Sequence, residues 1–299
     1  MQYSKDFEDY ELLDMADGEK LERWGKYLLI RPDPQIIWSK KEKPELWKDA
    51  SARYLRSKEG GGYWDIIKNM EKEWKVKYKK LVFNIKPMGF KHTGLFPEQS
   101  VNWDDMIEKI EIAKKSGRED IKVLNLFAYT GGATVACSFA GAEVCHVDSS
   151  KGMTLAAKEN IESTGLGANK VRYIVDDVVK FVQREIRRGS KYDAVIMDPP
   201  SYGRGASGEV WSIEKDLYNL ICLCCQILSD DPIFFNINTY TGGLSGTVIS
   251  NVLKMAIDEN STQISGKGQI VTNEIGIKVS GSELMLPCGI TTKWEKIYK

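Results

Sequence analysis

From residue 121 onward, short apolar segments alternate with segments that have helical spacing. Five strand-like segments are each followed by one such helix: the predicted strands are 121–127, 143–148, 170–176, 192–198 and 232–238, and the predicted helices 132–140, 151–163, 177–188, 213–228 and 245–259. Two last β segments, about 269–279 and 285–297, have no helix between them. Because apolar strands joined by helices are buried on both faces, we predict an α/β fold with a mainly parallel sheet and an antiparallel edge.

Residues 1–90 have a different character, because they hold five of the eight tryptophans and short β-like pieces separated by turns. We predict a small, mostly β domain over 1–90 and a second domain over 91–299. The tryptophans are best explained as core residues; stacking of one or two on nucleic-acid bases stays open. They are Trp24, Trp38, Trp47, Trp64 and Trp74.

Positive charge is concentrated in one block of a chain whose net charge is zero. Residues 20–91 carry 19 Lys and Arg side chains against nine Asp and Glu. The densest part is 74–80, where Lys75, Lys77, Lys79 and Lys80 are interleaved with aromatic residues. This block is a candidate surface for RNA. The alternative is an ordinary solvated face.

Neither a membrane segment nor a metal site is expected from the sequence. No apolar run is long enough to cross a bilayer, and the acidic start has no apolar signal region. We therefore expect a cytoplasmic protein. The six cysteines and two histidines show no metal-binding or disulfide spacing, and residues 222–225 are best explained as a buried helix face.

A glycine-containing turn, 129–132, follows the first strand of the α/β part. Glycine lets the backbone approach a ligand, and the helix that follows offers unpaired N–H groups to a carboxylate. The turn lacks the three glycines that bind a pyrophosphate, so a cofactor without phosphate fits better. Asp148 ends the second strand, where a carboxylate can accept ribose hydroxyls; a helix cap is the alternative, for which Ser149 and Ser150 also qualify.

Two further acidic positions end later strands. At 176–177, one carboxylate is placed to accept an adenine amino group; we assign Asp177, with a backbone contact from Val178. Asp198 is followed by two prolines, which fix φ and lack N–H donors. We expect the carbonyls of Pro199 and Pro200 to accept from a planar amine, and Tyr202 to stack on the ring that carries it. The segment 203–208 suggests a loop, in which Arg204 could meet a phosphate or which is simply a crossover.

Four segments together carry a resemblance to a known family: 123–132, 147–150, 175–177 and 197–202. They are similar to class I S-adenosylmethionine-dependent methyltransferases related to the bacterial large-subunit rRNA enzymes that make 5-methylcytosine or N2-methylguanine. The resemblance implies a Rossmann-like sheet of order 3-2-1-4-5-7-6 with its last strand antiparallel. It also implies S-adenosylmethionine as cofactor, at the carboxyl ends of the strands.

The sequence departs from that family at two places. Carbon-5 methylation of cytosine needs a thiolate that adds to the ring, but residues 235–240 contain no cysteine. The segment that resembles the family's cofactor-covering motif ends in Ser100 where the family has arginine, and Lys91 is a candidate replacement.

We therefore predict methyl transfer to an exocyclic amine of a base in rRNA, with guanine as the leading candidate. The alternatives are methylation of a protein, a small molecule or carbon 5 of cytosine, and a non-catalytic nucleic-acid-binding protein. The predicted catalytic residues are Asp198, Pro199, Pro200 and Tyr202; the predicted cofactor-binding residues are Phe127, Tyr129, Thr130, Gly131, Asp148, Ser149, Asp177 and Val178.

Overall fold

The structure is a computed structural model that describes residues 1–5, 7–57, 61–204, 208, 210–261 and 263–297. It forms two compact units, one of Met1–Val101 with Gly276–Cys288, the other of Asn102–Ile275 with the residues from Gly289 onward. The division into domains over 1–90 and 91–299 stays a prediction.

The described residues form the following elements. The strands are β1 (Gln2–Tyr3), β2 (Tyr10–Ala16), β3 (Glu19–Trp24), β4 (Tyr27–Pro32), β5 (Ala52–Arg56), β6 (Gly62–Ile66), β7 (Trp74–Tyr78), β8 (Leu81–Ile85), β9 (Lys122–Leu126), β10 (Glu143–Asp148), β11 (Val171–Val175), β12 (Ala194–Met197), β13 (Tyr202–Arg204), β14 (Val210–Ser212), β15 (Phe234–Thr239), β16 (Gly268–Lys278) and β17 (Met285–Lys296). The α-helices are α1 (Ser100–Lys115), α2 (Gly132–Phe139), α3 (Lys151–Ser163), α4 (Val178–Arg187), α5 (Ile213–Gln226) and α6 (Gly246–Asn260).

The first unit is mostly β, as the sequence predicts. Its larger sheet has the order β2-β3-β4-β5-β6, and β7 and β8 form a separate hairpin. None of the five tryptophans is largely exposed to solvent, because three are buried and two are half-buried. Four of the five indole N–H groups donate within the unit, including Trp47 to Asp14 and Trp64 to the Met88 carbonyl. Their role as core residues is thereby supported over base stacking.

A buried ion pair stabilises the larger sheet of the first unit. The Glu22 carboxylate, fully buried, accepts two bonds from the Arg31 guanidinium, at 2.5 and 2.7 Å, and one from the Tyr10 hydroxyl. Burial raises the pKa of Glu22, but Arg31 and Lys20 outweigh it and lower that pKa to about 2. The paired charges keep a carboxylate ionised in an apolar core.

The second unit contains the predicted parallel sheet. Its strands follow the order β11-β10-β9-β12-β15-β17-β16, which is 3-2-1-4-5-7-6, and β17 runs antiparallel to β15. Both predictions are confirmed.

Alternate side chains of the central strands enter two separate cores. On one face Leu126 and Met197 pack among the side chains of α4, α5 and α6. On the other face Val123 and Ile196 pack against α1 and α2. The cysteines near residue 224 lie in the first of these cores, so the expected buried helix face is confirmed. Because both faces of these central strands are covered, a ligand can reach them at the ends of the strands.

The structure gives no sign of a membrane span or a metal cluster in the residues that it describes. Among them, no helix is long and apolar enough to cross a membrane. Within the same residues, no three or more His, Cys, Asp and Glu side chains are grouped as metal ligands.

Candidate active site

The candidate site lies at the carboxyl ends of β9, β10, β11 and β12. Met197 pairs with Leu126, and Leu126 with Val147, so the residues that follow these strands emerge at one edge of the sheet. The connections of β9 and β12 lead to opposite faces of the sheet. Open α/β sheets bind ligands at such a switch point.

The turn after β9 has an unusual backbone. Phe127, Tyr129 and Gly131 have φ of 52°, 50° and 80°, in the left-handed region. Such values cost a non-glycine residue about 1–3 kcal/mol and cluster at functional sites. The turn is held from below by Asn160, whose Nδ2 donates to the Thr130 carbonyl at 2.8 Å. The surrounding fold thus imposes a shape that the local sequence alone does not favour.

The helix that begins at this turn has an uncapped N-terminus. Its N-cap residue is Gly131, which has no side chain to bond the first-turn N–H groups. By contrast, Ser150 caps α3 and Asp177 caps α4 with side-chain oxygens. Uncapped N–H groups and the helix dipole form a site for a carboxylate.

Asp148 joins the ends of two strands rather than capping a helix. Its Oδ2 accepts from the Tyr129 N–H and its Oδ1 from the Ser150 N–H, both at 2.8 Å. Burial raises the pKa of Asp148, and the two N–H donors act in the opposite direction. Each carboxylate oxygen has a second lone pair for a hydroxyl donor. Ser149, next to it, is exposed.

The two acidic residues after β11 have different partners. The Asp177 Oδ1 accepts from the Lys180 N–H at 2.9 Å and thereby caps α4, while Asp176 forms an ion pair with Arg184. Asp177 keeps its Oδ2 for an amino group, and Val178, buried, begins the helix. The adenine contact assigned to this pair of residues stays a prediction.

The turn after β12 carries the second half of the site. Asp198, one residue beyond the Met197–Leu126 pair, is half-buried beside Phe127. Pro199 is buried, and no donor among the described residues reaches its carbonyl. The Pro200 carbonyl, expected to face the substrate, accepts from the Trp211 indole N–H at 2.7 Å. Of the two carbonyls, that of Pro199 is therefore the better placed to accept from an amine.

The segment after the prolines is a short hairpin where the sequence suggested a loop. Tyr202, Gly203 and Arg204 pair antiparallel with β14. Residues 205–207, and the Arg204 side chain expected to meet a phosphate, lie outside the described part. Tyr202 is 56% exposed, which leaves its ring available for stacking. The hairpin arises because Trp211 anchors β14.

Trp211 is the main site residue that the sequence analysis missed. Its ring lies 5.0 Å from the Phe127 ring, and its N–H reaches Pro200, so it contacts both turns. Trp103 is a second such residue, since its ring would be 2.8 Å from a Cβ at Gly132. An isolated tryptophan beside a glycine-rich segment is the only signal that the sequence offers for Trp211.

A buried polar network lies beneath the turn after β9. The Thr134 hydroxyl is 2.9 Å from the His146 Nδ1 and accepts from the Asn125 Nδ2 at 3.0 Å. His146 is fully buried, and its Nε2 has no partner among the described residues. Burial lowers the pKa of His146 to about 4. The imidazole is therefore neutral in the folded protein.

This network predicts sensitivity to mild acid. Because the unfolded state binds a proton near pH 6.5 and the folded state only near 4, the free energy of unfolding falls as the pH drops through this window, by up to about 1.4 kcal/mol per pH unit for His146. His92, the only other histidine, has its pKa lowered similarly, by burial and nearby cations. In His146→Gln, the free energy of unfolding by urea should change less with pH between pH 6.5 and 5 than in the wild type. An equal pH dependence in the variant and the wild type would contradict this prediction.

Comparisons with known proteins agree on one class. Residues 48–228 match the family described as S-adenosylmethionine-dependent methyltransferase. The structure of an S-adenosylmethionine-dependent methyltransferase from Agrobacterium tumefaciens superposes with a TM-score of 0.88 at 32% identity, covering 98% of this chain and 92% of that one.

Two curated relatives are named ribosomal RNA large subunit methyltransferase I. The Klebsiella pneumoniae protein is 38% identical over 84 residues, which are 28% of this chain and 21% of the relative. The Escherichia coli protein is 30% identical over 140 residues, 46% of this chain and 34% of the relative. The chain thus matches about a third of the length of one of these proteins and about a fifth of the other.

Proposed function

Because the chain belongs to the S-adenosylmethionine-dependent methyltransferase family, we propose that it methylates an exocyclic amine of a base in ribosomal RNA. The observation that carries the proposal is the turn after β12. There, the Asp198 carboxylate and the buried Pro199 carbonyl lie at the switch point, beside the exposed ring of Tyr202. An amine on a flat ring fits two acceptors and a stacking surface.

The residues at the ends of β9, β10 and β11 fit the cofactor. The uncapped N-terminus of α2 suits its carboxylate, Asp148 its ribose hydroxyls, and Asp177 with Val178 its adenine. Phe127, Tyr129, Thr130 and Ser149 surround these groups in the proposal. When bound, S-adenosylmethionine supplies an electrophilic methyl group on sulfonium sulfur.

The proposed role of the protein is to orient the acceptor. Asp198 and the Pro199 carbonyl accept the two amine hydrogens and so direct the nitrogen lone pair away from the ring. Tyr202 holds the base by stacking, and Asp198 takes the proton that the nitrogen loses after the C–N bond forms. Alignment of this kind supplies a large part of the rate enhancement in displacement reactions.

Other acceptors fit less well. Carbon 5 of cytosine requires a thiolate, and residues 235–240 provide none. The proposal is tested by nucleoside mass spectrometry of ribosomal RNA from cells with and without the protein. Loss of one N-methylated nucleoside, restored by the purified protein in vitro, supports it. Unchanged nucleosides would reject it. A ribosomal substrate would also place the protein in the cytoplasm.

The hairpin of β7 and β8 is the proposed RNA-docking surface. Along β7, Trp74, Val76 and Tyr78 are buried while Lys75 and Lys77 are exposed, and the exposed Lys79 and Lys80 form the turn. The aromatic residues thus anchor the strand, and the lysines point outward. Such a row of ammonium groups suits the phosphates of an RNA backbone.

Replacing Lys75, Lys77 and Lys80 with glutamine should weaken ribosomal RNA binding and reduce the slope of log Kd against log salt by about 2. The matched control replaces Lys26 and Lys68, which are ion-paired with Glu71 and Asp49, and should leave the slope nearly unchanged. Fluorescence titrations from 50 to 300 mM salt measure both. Equal slopes for the two variants would contradict this surface, and a flat response of the wild type would favour a protein or small-molecule substrate.

A further inference from the structure

Asn238 lies at the end of β15, beside the turn after β12 that carries Asp198. Met197 of β12 pairs with Ile237 of β15, so the next residues, Asp198 and Asn238, lie opposite each other. Neighbouring strands are about 4.8 Å apart. Side chains alternate along a strand, and Ile196 and Phe234 lie in the core beneath α1 and α2. Asn238, four residues after Phe234, faces this same side.

The side-chain oxygen of Asn238 is held by two donors. The Asn102 Nδ2 donates to it at 3.0 Å, and the Thr291 hydroxyl donates at 2.7 Å. Asn102 also bonds Thr291, at 2.9 Å, and all three side chains are buried. In the structure both partners donate, so the atom that they contact is the oxygen of the Asn238 amide. The nitrogen of this amide is thereby turned away from the cluster.

The nitrogen of Asn238 has no protein acceptor. Within the described part of the chain, no oxygen accepts from its Nδ2, although the residue is only 2% exposed. Asn236, on the same face, also lacks hydrogen-bond partners among the described residues, but its nitrogen and oxygen are both sealed from solvent. The Nδ2 of Asn238 retains contact with solvent, and it offers two donors beside Asp198.

We propose that Asn238 determines acceptor specificity by donating from Nδ2 to a ring nitrogen or carbonyl oxygen adjacent to the methylated amine. This inference rests on the proposed function and narrows it. Asp198 and Pro199 supply acceptors for an amine, and Asn238 supplies a donor next to them. Together they match a nucleobase edge on which an amine neighbours a hydrogen-bond acceptor. A lysine amine lacks such a neighbour, whereas the side-chain amides of asparagine and glutamine have one. Asn102 and Thr291 act as positioning residues.

The test uses Asn238→Asp, which keeps an oxygen for Asn102 and Thr291 but replaces the donor. Methyl transfer from labelled S-adenosylmethionine is measured on ribosomal RNA isolated from cells that lack the protein, from pH 6 to 9. We expect kcat/KM to fall about 10- to 100-fold, with cofactor affinity by calorimetry within about twofold. Activity should partly recover at low pH, because a protonated carboxyl regains a donor.

Two further variants keep the test decisive. Asn238→Ala removes the donor while Asn102 and Thr291 still bond each other, and it should show the same loss without recovery at low pH. Asn236→Ala, the matched control, removes an amide with no partner and should stay within about twofold of wild type. If the wild-type protein methylates ribosomal RNA and both Asn238 variants do so at the wild-type rate, this inference is overturned while the proposed function stands. Absence of wild-type transfer to ribosomal RNA would overturn the proposed function and the inference with it.

Discussion

Replacing Asp198 with alanine should lower methyl transfer to ribosomal RNA about a thousandfold while binding of S-adenosylmethionine persists. The size follows from the loss of a group that both orients the amine and takes its proton, effects that reach about 10²–10⁴ in enzymes. Cofactor binding should survive because the groups assigned to the cofactor, such as Tyr129 and Asp148, lie mainly at the ends of β9 and β10. Single-turnover kinetics and calorimetry measure the two quantities separately.

Asp148→Ala should show the reverse pattern, with a larger effect on cofactor affinity than on methyl transfer. It removes the acceptor for the Tyr129 and Ser150 N–H groups as well as the proposed ribose contact, so cofactor affinity should weaken by about 1–3 kcal/mol. Transfer at saturating cofactor should fall far less than in Asp198→Ala. A fully active Asp198→Ala enzyme would refute its assignment, and an Asp148→Ala protein with wild-type affinity would refute the ribose role.

Replacing Gly131 with alanine should destabilise the second unit by about 2–4 kcal/mol. A left-handed φ costs an alanine about 1–2 kcal/mol, and the new methyl group would lie 2.8 Å from the Ala157 Cβ on α3, which overpacks that contact. The turn would have to move, so cofactor affinity should fall in the same variant. Urea unfolding and calorimetry measure the two effects.

Gly165→Ala is the control, because it separates backbone strain from crowding. Gly165 has nearly the same φ, 81° against 80°, but nothing lies within 4 Å of its Cβ position. Its substitution should therefore cost only the strain, about 1–2 kcal/mol, and leave the cofactor affinity unchanged. If the two variants lost equal stability, close packing of the turn against α3 would not be the cause.

The α/β half of the chain could be predicted closely from sequence. For example, the predicted strand 143–148 coincides with β10, and the predicted helix 151–163 with α3. These elements have a clear apolar period and a capping residue such as Ser150 at their start. The strand order came from the family resemblance, and the structure confirms it. The four strand ends that carry the site follow directly from those elements.

The parts that escaped prediction depend on contacts distant in sequence. Nothing local indicates that Trp211 would bond the Pro200 carbonyl, or that Asn102 and Thr291 would hold Asn238, because each partner comes from a different element. The left-handed backbone at Phe127 and Tyr129 is likewise imposed by the fold, since neither residue type favours it. Side-chain hydrogen bonds of this kind are decided only once the strands and helices are packed.

Trp211 contacts Phe127 on the turn after β9 and Pro200 on the turn after β12, so a single indole ring connects the two halves of the proposed site. A ligand that shifts this ring in one half would therefore also move its contact in the other half. Occupation by nucleic acid would then change the affinity for the methyl donor, and by thermodynamic reciprocity the donor would change the affinity for nucleic acid by the same factor. Cooperativity between the two ligands would thus be a property of one side chain.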